Sequence, residues 1–219
     1  MKILILVLSY NDGKTYSDFY NAQLSTWDSI IVDGVETYYY FGNHDKNEII
    51  DNNILVNVEE KNINICSHKT LKAFELIKDL EFDYLFRTNS SSYIDKQKLL
   101  EFIEDKPTEK YYSGRLGSHD NIIFASGSGF FISKDVFQLL LEKSDSWEHS
   151  YIDDVLVGKL LKEFNISPHD NSRYDVHSRD IPMDYFHYRL KTNDRKLDVE
   201  NMYIIHKKKT YDKDSDSNQ

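Results

Sequence analysis

Six consecutive apolar residues, Ile3–Leu8, are cut short by Ser9-Tyr10-Asn11-Asp12-Gly13-Lys14. A run this short and uniformly apolar leaves no polar face for solvent. It fits a strand covered on both sides, expected over residues 2–8, and the turn residues leave no length for a helix. Strands buried on both faces belong to parallel sheets, and parallel neighbours need long crossover connections. The chain after Lys14 is therefore constrained to return through a helix.

The following pattern meets that demand. In "YSDFYNAQLSTWDSI", Phe19, Ala22, Leu24 and Trp27 recur at helical spacing, and "VETYYYFG" then reads as a strand closed by Gly42. "NILVNVEE" is a short strand. In "SHKTLKAFELIKDLEF", Leu71, Phe74, Leu76, Ile77 and Leu80 share a helical face, with Ser67 as candidate cap. A strand is expected at 82–86, and "DKQKLLEFIEDK" reads as a helix ended by Pro107. "KYYSGRLG" and "NIIFASGSGFFIS" read as strands with glycine breaks, "SKDVFQLLLEKS" and "YIDDVLVGKLLKEF" as helices. The remainder, ending in "NMYIIH", reads as short strands and loops. Alternating strands and helices predict an α/β fold, mainly parallel in its N-terminal half, with helices on both faces and antiparallel additions later. One domain over residues 1–212 suits the 219-residue length, with a polar, disordered tail at 213–219.

Charge and cysteine content exclude several classes. The net charge of −10, from 37 acids against 27 lysines and arginines, argues against a nucleic-acid phosphate backbone as partner. A single cysteine, Cys66, excludes an intrachain disulfide and a multi-cysteine zinc site. The N-terminal apolar run is shorter than a membrane span and lacks a small-residue cleavage pattern, so a soluble cytoplasmic protein is expected. No Gly-x-x-x-x-Gly-Lys-Ser/Thr, Gly-x-Gly-x-x-Gly or Gly-x-Ser-x-Gly motif opens the route to NTPases, dinucleotide oxidoreductases or α/β-hydrolases.

In open α/β sheets ligands collect beyond the carboxyl ends of strands. Ser9, Asn11 and Asp12 follow the first strand. "YLFRTNSSSYID" runs from a strand into Arg87-Thr88-Asn89-Ser90-Ser91-Ser92, side chains that do not suit an apolar interior. Asp153 and Asp154 open a helix, where acids also serve simply as caps and dipole partners. Gly127-Ser128-Gly129 allows either close backbone approach to a ligand or a tight turn. In "FHYRLKTNDRK", an extended backbone puts His187, Arg189 and Lys191 on one face, with Arg195 beyond a turn; a solvated charged strip is the plain alternative.

These segments, in this order, resemble the Fringe and β1,3-galactosyltransferase type of inverting glycosyltransferase, of GT-A fold. "TW" at Thr26-Trp27, "SHKTLKAF", "FDYLFRTNSSSYID", "FASGSGFFIS", "YIDDVLVGKLL" and "NMYIIHKKK" each have a counterpart there, covering most of residues 1–208. The resemblance implies a Rossmann-like mixed sheet, a nucleotide-diphosphate sugar donor (uridine-based), an acceptor hydroxyl, and Asp154, or else Asp153, as general base. It implies that the Gly127–Gly129 turn lines the junction of donor and acceptor, and that His206 meets metal or diphosphate. Asn89, Ser90 and Ser91 stand where the family has three acids. Mg²⁺ and Mn²⁺ prefer carboxylate oxygen, so the usual ligands of a divalent metal are missing. Cations can offset a diphosphate instead, and Arg189, Lys191 and Arg195, with His187, Lys69 and Arg87, are the candidates. Asn89 and Ser91 would then hold ribose or sugar hydroxyls, with Ser9, Asn11 and Asp12 lining the nucleotide pocket. Two other readings stay open: a catalytically inert sugar- or nucleotide-binding relative, and a transferase acting on modified nucleic-acid bases.

Overall fold

The apolar run is the centre of the sheet. The protein was analysed as a computed structural model, which describes residues 1–60 and 65–216, with side chains through residue 210. Its first half contains β1 (Ile3–Leu8), α1 (Thr15–Ser25), β2 (Val35–Phe41), β3 (Glu48–Ile50), β4 (Asn53–Leu55), α2 (Ile65–Ile77), β5 (Tyr84–Asn89), β6 (Ser92–Ile94) and α3 (Lys96–Ile103). The second half contains β7 (Tyr112–His119), β8 (Ile122–Ser133), α4 (Lys134–Glu142), α5 (Asp153–Glu163), β9 (His169–Asp170), β10 (Tyr174–Val176), β11 (His187–Leu190) and α6 (Arg195–Asp216).

The main sheet has the order β3-β4-β2-β1-β5-β8-β7-β9. β1 runs parallel to β2 and β5, with Leu8 level with Tyr40 on one side and Asn89 on the other. β8 pairs antiparallel with β5 and β7, so the antiparallel additions come late in the chain, as expected. A smaller sheet, β10-β11-β6, sets Arg189 opposite Ser92. Alternate residues of β1 feed two cores, because successive strand side chains point to opposite faces. Ile3, Ile5 and Val7 join Phe19, Ile103 and Met202 beneath α1, α3 and α6. Leu4 and Leu6 join Phe74, Phe137 and Leu156 beneath α2, α4 and α5. Among the described residues, no helix is long and apolar enough to cross a membrane.

Three local expectations are corrected. "NMYIIH" is helical: Asp198, Asn201, Met202, Ile205 and Lys209 are buried along one face of α6, a spacing of three to four that no strand produces. α2 begins at Ile65, so Ser67 lies inside its first turn and is not its cap. The strand expected at 82–86 continues as β5 to Asn89, and Arg87, Thr88, Ser90 and Ser92 are buried because polar partners meet them inside. The tail expected from residue 213 overlaps the end of α6 and then lies outside the described residues.

Candidate active site

The polar end of β5 closes a circuit of four side chains from four elements. The Arg87 Nε donates to the Tyr40 hydroxyl at 3.2 Å, which lies 2.9 Å from the Thr70 hydroxyl. Thr70 donates in turn to Asp153 Oδ2 at 2.9 Å. One terminal nitrogen of Arg87 returns to the Asp153 carboxylate, and the other donates to the Gly127 carbonyl. Arg87 is 2% exposed, so it is no ligand for a substrate, and Asp153 spends its charge on it. Burial and the phenol-to-carboxylate surroundings push the Tyr40 hydroxyl well above its ordinary range, so it remains a proton donor.

Asp154 has a different environment. The Gly127 N–H donates to its Oδ2 at 2.7 Å and the Val155 N–H to its Oδ1 at 2.9 Å. Each oxygen keeps a further lone pair. Burial first, and then the neighbouring Asp153, raise its pKa above the usual carboxylate value, against the opposing pull of the Gly127 N–H and Arg87. A carboxylate so placed accepts a proton more readily than one in water. Glycine at 127 is required by crowding: a Cβ there would lie 2.8 Å from Arg87 Nη1 and 3.1 Å from Asp154 Oδ2.

Beneath these groups, Thr88 Oγ1 donates to the Ser128 carbonyl at 2.7 Å, and Ser92 Oγ lies 3.1 Å from His187 Nε2. His187 is 1% exposed and packs edge-on against Phe86 with ring centroids 5.5 Å apart. Burial, then Arg173 and Arg189, hold its pKa well below the ordinary 6.5. The expected alignment of His187 with Arg189 and Lys191 as phosphate-facing cations is therefore corrected: His187 is a neutral floor residue. A pH dependence follows. Above 6.5 the ring is neutral in both the folded and unfolded chain. As pH falls below 6.5 the unfolded chain takes up a proton that the folded one refuses, so stability declines by up to about 1.4 kcal/mol per pH unit for this group. Urea unfolding of wild type and His187→Asn between pH 7 and pH 5 measures it, the variant showing the shallower decline.

The cations converge from the small sheet and the start of α6. Arg173, which the sequence reading missed, donates to the Ser128 hydroxyl and reaches Asp175 Oδ1 from Nε at 2.7 Å. Nothing in "NSRYD" distinguishes it; only the pairing of Asp175 with Arg189 across β10 and β11 brings it to the site. Arg195 pairs with Asp198 at 3.1 Å and Lys191 is exposed. Arg189 is half-buried and makes no side-chain hydrogen bond or ion pair among the described residues. Burial, then Arg173, lower its pKa; Asp175, Arg195 and Asp154 also lie within electrostatic reach.

The other expected residues serve the frame. Asn89 Oδ1 accepts from the Ser91 N–H at 3.2 Å and the Ser91 hydroxyl at 3.0 Å, and the Ser90 hydroxyl donates to the Leu8 carbonyl at 3.1 Å. Lys69 is 2% exposed and braces the Ser9 carbonyl at 2.5 Å while pairing with Glu60. It is not open to a phosphate. Asp12 caps α1, its Oδ1 accepting the N–H groups of Lys14 at 2.9 Å and Tyr16 at 3.0 Å; Asn11 accepts from Ser17 at 3.2 Å. Ser9 has a buried Oγ without a partner among the described residues. His206 sits on α6 with Nδ1 3.4 Å from the Tyr93 hydroxyl, and it does not join the acid and the arginines.

The donor set at the end of β5 does not fit a divalent metal. Its oxygens are one amide already accepting three hydrogen bonds and hydroxyls engaged with that amide or with the Leu8 carbonyl, with no carboxylate among them. Among the described residues, no group of three His, Cys, Asp or Glu side chains is placed to hold a metal ion.

No protein-family model matches the chain, and no curated protein matches its sequence. Solved structures match its fold. A glycosyltransferase involved in the glycosylation of the major capsid of PBCV-1 is 13% identical, with a TM-score of 0.59 over 93% of this chain and 100% of that one. The galactosyltransferase LgtC, solved with donor and acceptor sugar analogs, is 13% identical, with a TM-score of 0.54 over 92% and 95%. The 4-diphosphocytidyl-2C-methyl-D-erythritol synthase of Anaerococcus prevotii is 9% identical, with a TM-score of 0.53 over 93% and 96%. These likenesses establish the fold expected from the sequence, a GT-A type, Rossmann-like α/β sheet. A galactosyltransferase and a diphosphocytidyl-methylerythritol synthase share this shape, so the fold by itself assigns no chemistry.

Proposed function

We propose that this protein is an inverting glycosyltransferase that takes a sugar from a nucleoside diphosphate, uridine diphosphate by resemblance, and passes it to an acceptor hydroxyl. One observation carries the reading. The Gly127 N–H holds the Asp154 carboxylate at 2.7 Å, the hydroxyl of the next residue, Ser128, accepts from Arg173, and Asp175 binds Arg173 while standing level with Arg189, a half-buried guanidinium with no side-chain hydrogen bond or ion pair among the described residues. In the reaction the acceptor oxygen bonds to the anomeric carbon as the bond from that carbon to the β-phosphate oxygen breaks. Asp154 takes the hydroxyl proton, and the departing electron pair leaves with the diphosphate. Arg189, with Arg173 and Arg195 behind it and Lys191 at the rim, offsets the charge that a metal handles where carboxylate ligands exist. The ordered segments that resemble those of Fringe-type enzymes, above all "FASGSGFFIS" and "YIDDVLVGKLL", support the inverting assignment.

The test pairs binding with turnover, both in EDTA. UDP is expected to raise the melting temperature, since a ligand at about 100 times its dissociation constant adds about 2.7 kcal/mol. UDP release from UDP-sugars is expected to continue in chelator within about twofold of its value without it. A large loss restored by Mn²⁺ would remove the metal-free part of the reading. The absence of a carboxylate at the end of β5 favours a second reading, an inert nucleotide-sugar binder. Calorimetric binding of UDP-sugars with no UDP release in any acceptor mixture would select it.

A further inference from the structure

We infer that Arg87 and Asp153 form a positioning device for Asp154: one buried guanidinium both anchors the glycine whose N–H holds this carboxylate and balances the charge beside it. The inference rests on Asp154 being the base.

The geometry is specific. Arg87 grips the Gly127 carbonyl, and the N–H of that same glycine donates to Asp154 Oδ2 at 2.7 Å. The guanidinium also engages Asp153, the chain neighbour of Asp154. Moving Arg87 therefore releases the carbonyl on one side of Gly127, loosens through its Cα the N–H that aims Asp154, and unmasks a second negative charge next to it. An ion pair this deeply buried adds little stability over an apolar replacement of equal size. Its placement against the reactive carboxylate gives it another use. The charged and titratable groups around Asp154 are Asp153 on its own helix, Arg87 on β5, Arg189 on β11 and the Tyr112 phenol on β7. Those around Arg87 are Asp153, Tyr40, Asp154 and Cys66, with Lys69 on α2. Of these, Asp153 and Arg87 carry full charges that act on Asp154 and lie outside the proposed diphosphate site.

The experiment follows the Asp154 carboxyl carbon by NMR titration of ¹³C-aspartate-labelled protein, the signal being assigned by its loss in Asp154→Asn. Asp153→Asn keeps an oxygen acceptor for Arg87 and Thr70 but deletes the neighbouring charge, so the Asp154 midpoint is expected to fall by about one pH unit. Arg87→Lys keeps the charge but not the fork, so the midpoint is expected to move less. The Gly127 amide resonance shifts in that variant, and UDP release falls by about a hundredfold. Should Arg87→Lys fail to fold, the neutral double variant Arg87→Met/Asp153→Asn replaces it, with a midpoint near wild type and the same loss of turnover expected. An unchanged midpoint in Asp153→Asn, or full turnover in the folded Arg87 variants, overturns the inference. Retained transfer in Asp154→Asn instead overturns the functional reading, while the titration still reports on the pair.

Discussion

Replacing Asp154 with asparagine is expected to lower kcat/KM for transfer by about a thousandfold or more while leaving the protein folded and able to bind UDP. The amide cannot take the acceptor proton. Its single oxygen can serve only one of the two N–H groups, from Gly127 and Val155, that now donate to the carboxylate. That loss costs about 1 kcal/mol, and it is offset by removal of the like charge beside Asp153. The pH profile carries the same information. Because burial and Asp153 raise the Asp154 pKa, the acid limb of kcat/KM lies above the ordinary carboxylate range, and the rate falls as pH drops through it. Steady-state UDP release across pH, with thermal melting of both proteins, decides the matter. Near-wild-type transfer by Asp154→Asn removes this residue from the chemistry.

Arg189→Met is the second large effect, and its two halves have opposite signs. Without ligand, Arg189 pays for desolvation and for the repulsion of Arg173 and Arg195 without a hydrogen bond in return. The methionine variant is therefore expected to melt at the same temperature or higher. Its affinity for UDP is expected to drop about a hundredfold, since a partly buried guanidinium on a diphosphate is among the stronger charge-assisted contacts. Calorimetry beside melting curves separates this from a structural role, in which stability and binding would fall together. A destabilised variant with unchanged affinity would show that the guanidinium serves the fold.

Much of the architecture is legible in the chain because it depends on local periodicity. Ile3–Leu8 fits a covered strand, and the spacing of Val157, Leu160 and Leu161 fits one side of a helix, which ends just before the exposed Phe164. The one large misreading, "NMYIIH", has the same cause in reverse. Four apolar or aromatic residues in a row suit a strand or a buried helix equally, and only the packing of Met202 and Ile205 under α6 separates them. Asp153 and Asp154 were legible as the start of a helix, but position alone did not separate a base from a cap, since acids at a helix start serve as either. Arg173 was not, because a lone arginine in a polar stretch carries no period and no motif.

By itself the sequence determined the alternation of strands and helices at the centre of the fold, the parallel core of the sheet, and the absence of carboxylates at the end of β5. Each of these depends on side-chain type and spacing along the chain. Only the tertiary structure decided which charges find partners within the protein. It buried Arg87 and Lys69 against Asp153 and Glu60, turned His187 into a neutral floor residue, committed Asp12 to the start of α1, and left Arg189 without a partner among the described residues near Asp154. The physical reason is that a charge is defined by its partners and its access to water, and both are supplied by residues far away in the chain.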